Sequence, residues 1–354
     1  MKLVVKKRRR LKKSGILFLI LLFATLVGLG YAGVGFSKYL HNKKEIKEIL
    51  KKDEEKRKNK DNQKQNEDKE QEEQKIQEEK QKKYDDCMKQ PYKMETLDKE
   101  FDYLFNSYNG LNLAISFRDV KNEYVYFLNP NKGYYSGCIV KPFSVIYLVQ
   151  KARAGEISLN DTLTYMPEDK HQFSDYTDKH QFYDKIPIID LIRYMFTTSD
   201  NSAYFIIMRT YGSGTFNQYF KEKYDINLHF TNRHPFEANY TVATSDKLLQ
   251  LLYELLQVDD EATKVMKEAL YNDVENTVSF DDVKLMHKYG EYDKWHNDIG
   301  IYEGNDHPYL VSIFTTRALT DYKTMIPKVS KDLYTIYKKN LDSKETYCKN
   351  IMES

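Results

Sequence analysis

The sequence predicts an α+β protein, with a five-stranded antiparallel sheet flanked by helices and an all-helical lobe inserted between strands. Three observations carry that prediction. Early in the chain Leu111, Leu113, Ile115 and Phe117 alternate as a half-buried strand does, and 123–128 supplies a hairpin partner. Late in the chain three further strand-like runs, 284–288, 297–302 and 309–315, follow one another at hairpin spacing. Between them the period is helical, so both ends of the chain complete one sheet and the middle forms a separate layer. This domain is expected over 91–354. Ahead of it come a basic cytoplasmic tail (1–14), a transmembrane helix (15–37) and a charged helical spacer (38–90).

The N-terminal expectations rest on charge and hydropathy. Eight Lys and Arg residues within the first thirteen carry +8 of a chain whose net charge is +2, which leaves −6 for the rest. The basic cluster abuts an uncharged stretch, 15–36, rich in Leu, Ile, Phe, Val and Gly. About 20 apolar residues span a bilayer core. The basic flank predicts a cytoplasmic N-terminus and an extracytoplasmic domain, a single-pass arrangement in the cell membrane. A cleavable signal peptide is the competing reading, with Gly30 and Ala32 as small residues at a cleavage site. No nucleic-acid partner is expected, because the Arg/Lys run is explained by its apolar neighbour. From Lys51 to Lys75 there is no apolar residue. Pairs such as Glu48 and Lys52, Glu54 and Lys58, and Glu78 and Lys82 favour a solvated helix there.

Within the domain, Leu97, Phe101, Leu104, Phe105 and Tyr108 recur at helical spacing. Residues 141–149 are apolar on nearly every face, the pattern of a helix buried at the centre of a domain, and Gly155 stops it. Residues 155–184 read as a polar, turn-rich loop. Its two histidines, His171 and His180, stand nine apart and match no zinc spacing, so no metal or cofactor is expected. Helices are expected after Pro187, over 203–209, 215–224 and 245–257, and finally over 320–340. Cys87 and Cys348 lie near the two ends of the domain. They meet if its first and last helices pack antiparallel, a connection that spacing alone does not establish.

Cys138 and Lys141 are three apart at the start of the buried helix, one turn from each other. The positive end of a helix and a neighbouring ammonium both favour a thiolate, which is one way to prepare a nucleophile. A small buried Cys beside a Lys that reaches the surface is the alternative.

Three short motifs then decide the comparison. Cys138-Ile139-Val140-Lys141 stands where a Ser-x-x-Lys motif would, Ser199-Asp200-Asn201 is an intact Ser-Asp-Asn, and Lys288-Tyr289-Gly290 stands for Lys-Thr-Gly. In this order, on these elements, the chain from about 97 to 340 resembles the class A β-lactamase and penicillin-recognising serine hydrolase family. The resemblance implies a β-lactamase-like fold and attack on the amide of a β-lactam or a peptidoglycan peptide through an acyl-enzyme. It implies catalytic roles for Cys138 (nucleophile), Lys141 (proton acceptor or electrostatic support) and Ser199 (proton relay). Asn201 would bind the substrate amide and Lys288 its carboxylate. Tyr289 and Gly290 would line the strand, and the N–H of Glu291 would join that of Cys138 as an oxyanion donor.

The sequence departs from the family at three places: Cys replaces the nucleophilic Ser, Tyr289 replaces Thr, and the deacylating Glu is missing. In that loop, 232–239, the position four before Asn239 is Pro235, and Glu237 fits the loop's structural acid better. Slow deacylation follows as an expectation. The alternative is a degenerate pseudoenzyme that binds cell-wall peptide or a protein partner.

Overall fold

A computed structural model describes residues 13–90, 94–108, 112–231, 236, 239–272, 284–303, 307–316 and 322–353. The chain divides into two units, Met1–Gln81 and Lys82–Ser354.

Helix α1 runs from Lys13 to Lys89. Its side chains over 41–60 and 63–79 are exposed, as a run of Lys, Glu, Gln and Asp without Gly or Pro requires. The expected membrane-spanning helix over 15–37, and with it the single-pass membrane location, is corrected here. Among the described residues no helix is long and apolar enough to cross a membrane.

In the second unit α2 (Met94–Ser107) precedes the hairpin β1 (Ala114–Asp119) and β2 (Tyr124–Leu128). The lobe follows: α3 (Lys141–Arg153), β3 (Thr162–Thr164), β4 (Lys185–Pro187), α4 (Ile188–Thr197), α5 (Asn201–Tyr211), α6 (Ser213–Tyr224), α7 (Val242–Leu255) and α8 (Glu261–Tyr271). The chain closes with β5 (Lys284–Tyr292), β6 (Trp295–Glu303), β7 (Tyr309–Thr316) and α9 (Tyr322–Glu353). The main sheet has five strands in the order β2-β1-β7-β6-β5, every neighbouring pair antiparallel. As expected, both ends of the domain complete it.

Alternation along the strands assigns the two faces. Ile115 and Phe117 of β1 join Val311 of β7 in one cluster with Leu97 and Phe101 of α2 and Val329, Leu333 and Tyr337 of α9. Ala114, Ile299, Ile301 and Phe314 face the other way, into the core of the helical lobe. Helix α3 is at the centre of that core, buried at every position from Lys141 to Val149.

Two elements escaped the sequence reading. Helix α8 carries Ala262, Val265, Met266, Ala269 and Leu270 on its buried face, capped by the Asp260 side chain accepting from Thr263 N. That pattern was readable. The two-stranded sheet β3-β4 was not, because each strand has only three residues. Cys87 and Cys348 form a disulfide with Cα atoms 5.6 Å apart. Beside it the Lys344 ammonium donates to Met88 O, Gln90 O and Asn122 Oδ1, joining α9 to the last turn of α1.

Candidate active site

The expected helical Cys138 is in fact on a short 3-10 turn, Gly137–Val140, that leads into α3. Gly137 has φ +55°, a conformation that favours glycine. A Cβ there would lie 3.0 Å from Glu291 N, and one on Gly290 would lie 2.8 Å from the N atoms of both Cys138 and Ile139. The two glycines therefore let the turn press against β5, backbone to backbone. Asn297 of β6 holds the chain just before the turn, its Nδ2 donating to Tyr135 O at 2.7 Å and Ser136 O at 3.2 Å. The sequence analysis placed position 297 only at the start of a strand. An Asn on the strand facing an extended loop was the only signal.

Lys141 is fully buried. Its ammonium donates to Ser199 O at 2.5 Å, Asn201 Oδ1 at 2.8 Å, and Ser199 Oγ and Asp200 O at 3.3 Å. Ser199 sits between α4 and α5 at φ +56°, which costs an L-residue about 1 kcal/mol. Its neighbour Asp200 holds it there. Wholly buried, Asp200 caps α5 through Ala203 N at 2.8 Å and accepts from Tyr176 N and Thr177 N at 3.0 Å. Asn201 is fixed from both ends, because its Nδ2 donates to Gln172 O at 2.9 Å.

Cys138 is free and partly exposed, and its Sγ lies 3.7 Å from Asn201 Oδ1. Burial opposes the thiolate. The ammonium groups of Lys141 and Lys288, with hydrogen bonds from Ser199 and Lys141, outweigh burial and hold the thiol below its ordinary pKa. Burial lowers the Lys141 pKa, the Cys138 thiolate opposes that, and Lys288 adds to it.

Lys288 and Gly290 face the helical lobe, as do their β6 partners Ile299 and Asn297. The Lys288 ammonium is buried and donates to Tyr289 O at 2.9 Å. Tyr289 and Glu291 project from the opposite face. The Tyr289 hydroxyl donates to Glu291 Oε2 at 3.1 Å and shares a 2.9 Å bond with His296 Nδ1. The structure thus brings Cys138, Lys141, Ser199, Asn201, Lys288 and the Gly290–Glu291 backbone together, and sends the Tyr289 side chain elsewhere. Pro235 and Glu237 lie outside the described residues.

A five-stranded antiparallel sheet backed by two helices, with a helical lobe on its other face and these motifs at the seam, defines a β-lactamase-like protein. The chain belongs to the β-lactamase enzyme family, whose profile matches residues 96–337. Among solved structures it is similar to an ancestral class A β-lactamase, at 16% identity over 68% of this chain and 98% of that one, TM-score 0.58. It is similar to a mutant of PBP-A in acyl-enzyme complex with penicillin G, at 15% identity over 69% and 97%, TM-score 0.60. A β-lactamase from Xanthomonas campestris pv. campestris is similar at 16% identity over 69% and 95%, TM-score 0.55. A comparison with curated proteins gives no match. At such identities the likeness to solved structures establishes the fold.

Proposed function

We propose that this protein is a β-lactamase-like amide hydrolase that works through a thioester on Cys138. The observation that carries the reading is the buried Lys141 ammonium, which joins Ser199 and Asn201 directly beside a thiol of lowered pKa. The thiolate attacks the carbonyl carbon of a β-lactam or cell-wall peptide amide. A sulfur–carbon bond forms and the carbon–nitrogen bond breaks. The thiol's proton, passed to Lys141, reaches the leaving nitrogen through Ser199 Oγ, 3.3 Å from the ammonium. The N–H groups of Cys138 and Glu291, brought close by the two glycines, receive the developing oxyanion. Asn201 orients the substrate amide, and Lys288 offers positive charge to a substrate carboxylate. Water then hydrolyses the thioester and restores the thiol.

Pro235 stands four before Asn239, where the family places the carboxylate that activates this water. The second step is therefore slow and the acyl-enzyme accumulates. Among the similar structures, the PBP-A mutant is an acyl-enzyme with penicillin G, a precedent for such a species on this fold.

Intact-protein mass spectrometry after exposure to penicillin tests the reading. A single adduct is expected, absent from Cys138→Ala and still present after excess ligand is removed. No adduct on the unaltered protein sinks the hydrolase reading. Saturable binding without an adduct, weakened by Lys288→Met, would favour the pseudoenzyme instead.

A further inference from the structure

Sulfur at position 138 brings a chemistry that an alcohol in the same place does not have. A hydroxyl there can only be acylated, whereas a thiolate can also give two electrons to a peroxide. Access, charge, a proton for the leaving group and the fate of the product decide whether it does.

Access singles out Cys138. Cys87 and Cys348 are buried and bonded to each other, while Cys138 is free and partly exposed. Charge comes from two lysines. The Lys141 and Lys288 side chains, both buried, hold the sulfur toward its thiolate, the form that peroxides oxidise. A proton is at hand as well. Asn201 Oδ1 lies 3.7 Å from Cys138 Sγ and 2.8 Å from Lys141 Nζ, so thiol and ammonium share a neighbour. Ser199 Oγ is 3.3 Å from the same ammonium. In amide cleavage this pair protonates a leaving nitrogen, and a leaving hydroxide asks for the same proton at the same place. The N–H groups of Cys138 and Glu291, brought close by Gly137 and Gly290, offer donors to an oxygen carried on the sulfur.

We propose that Cys138 is a reversible peroxide switch: a hydroperoxide oxidises its thiol to a sulfenic acid, which stops acylation until a small external thiol restores it. The thiolate attacks the terminal oxygen of the hydroperoxide. A sulfur–oxygen bond forms, the oxygen–oxygen bond breaks, and two electrons pass from sulfur to the peroxide. The departing hydroxide or alkoxide takes a proton from Lys141 and leaves as water or an alcohol. The chain has three cysteines and two are already joined, so no internal thiol captures the sulfenic acid. Two molecules of an external thiol reset it. The first forms a mixed disulfide on Cys138 and releases water. The second frees the Cys138 thiol and departs joined to the first. The oxidation stands on the surroundings of the sulfur alone, and only its effect on acylation rests on the hydrolase reading.

The full chain, treated with an equimolar amount of hydrogen peroxide at neutral pH and trapped with dimedone, gives the test by peptide mass spectrometry. Dimedone is expected on Cys138, at a rate about tenfold or more above that of the same thiol in the urea-unfolded chain. Glutathione should restore the thiol, and with it the penicillin adduct that oxidation prevents. Lys288→Met and Ser199→Ala should each slow the oxidation several-fold, the first through charge and the second through the proton. No dimedone on Cys138, a rate no greater than in the unfolded chain, oxidation that glutathione does not reverse, or a rate left unchanged by either substitution would overturn the proposal. Fast, reversible oxidation in a protein that penicillin never labels would keep the peroxide reaction and remove the hydrolase reading.

Discussion

On the helical side of the cleft, motif side chains from two helices converge on the Lys141 ammonium, while on the strand side neighbouring motif residues part to opposite faces of β5. The difference lies in the backbone. On a helical turn, residues three apart share a face, so Cys138 and Lys141 act together, and Asp200 needs only to cap α5 to present Ser199 and Asn201 to them. On a strand, successive side chains alternate, so Lys288 and Gly290 reach the lobe and Tyr289 and Glu291 do not. What the strand gives the site is a charge and a backbone edge. A motif of adjacent letters on a strand is therefore not a cluster of adjacent side chains.

Breaking the helical side should have the largest effect. Lys141→Met removes the donor shared by Ser199, Asp200 and Asn201. It should cost about 3 kcal/mol in urea unfolding and abolish acylation of Cys138. Stability within about 0.5 kcal/mol of the parent would mean that the network does not hold this side together. Next comes the seam. Gly290→Ala drives a methyl against the backbone of the Cys138 turn, so a loss of about 1–3 kcal/mol is expected, with acylation slowed more than stability alone explains. Unchanged acylation would show that the seam yields without harm.

The electrostatic link between the two sides is read by alkylating Cys138 with iodoacetamide as a function of pH. The midpoint should fall below the ordinary thiol value of about 8.5 and move up in Lys288→Met, since Lys288 is one of its causes. A midpoint that Lys288→Met leaves unmoved would deny the strand its part. The sign for stability follows from the same shift. The folded pKa is depressed, so the unfolded chain binds more protons between the two values. The thiolate's contribution is present above the unfolded pKa and is lost as pH falls through the folded one.

The smallest effect is expected at Tyr289. Tyr289→Phe removes the bonds to His296 and Glu291, which should cost about 1 kcal/mol and change acylation no more than about twofold, for a residue on the far face. A tenfold fall in acylation would show that Tyr289 serves the cleft after all.

Much of this was legible because it is local or periodic. The apolar run 141–149 announced a central helix, and α3 is buried throughout that run. The alternating runs near the two ends announced the five-stranded sheet. Asp200 illustrates the limit. Its capping role could be read from its place before α5, but the N–H groups of Tyr176 and Thr177 that it also holds come from a loop that looked featureless. The expected membrane helix marks another limit. It was read from composition over a window, whereas among the described residues no helix is long and apolar enough to cross a membrane.

The sequence by itself determined the layered α+β plan, the order of the three motifs and the Cys that stands where the first motif has Ser, because each is written in spacing or in single residues. Tertiary structure alone decided that Gly137 and Gly290 face each other, that Cys87 meets Cys348, and that Asn297 grips the turn. These pairings join residues tens to hundreds of positions apart. Their geometry depends on how sheet and lobe dock, which no local period encodes.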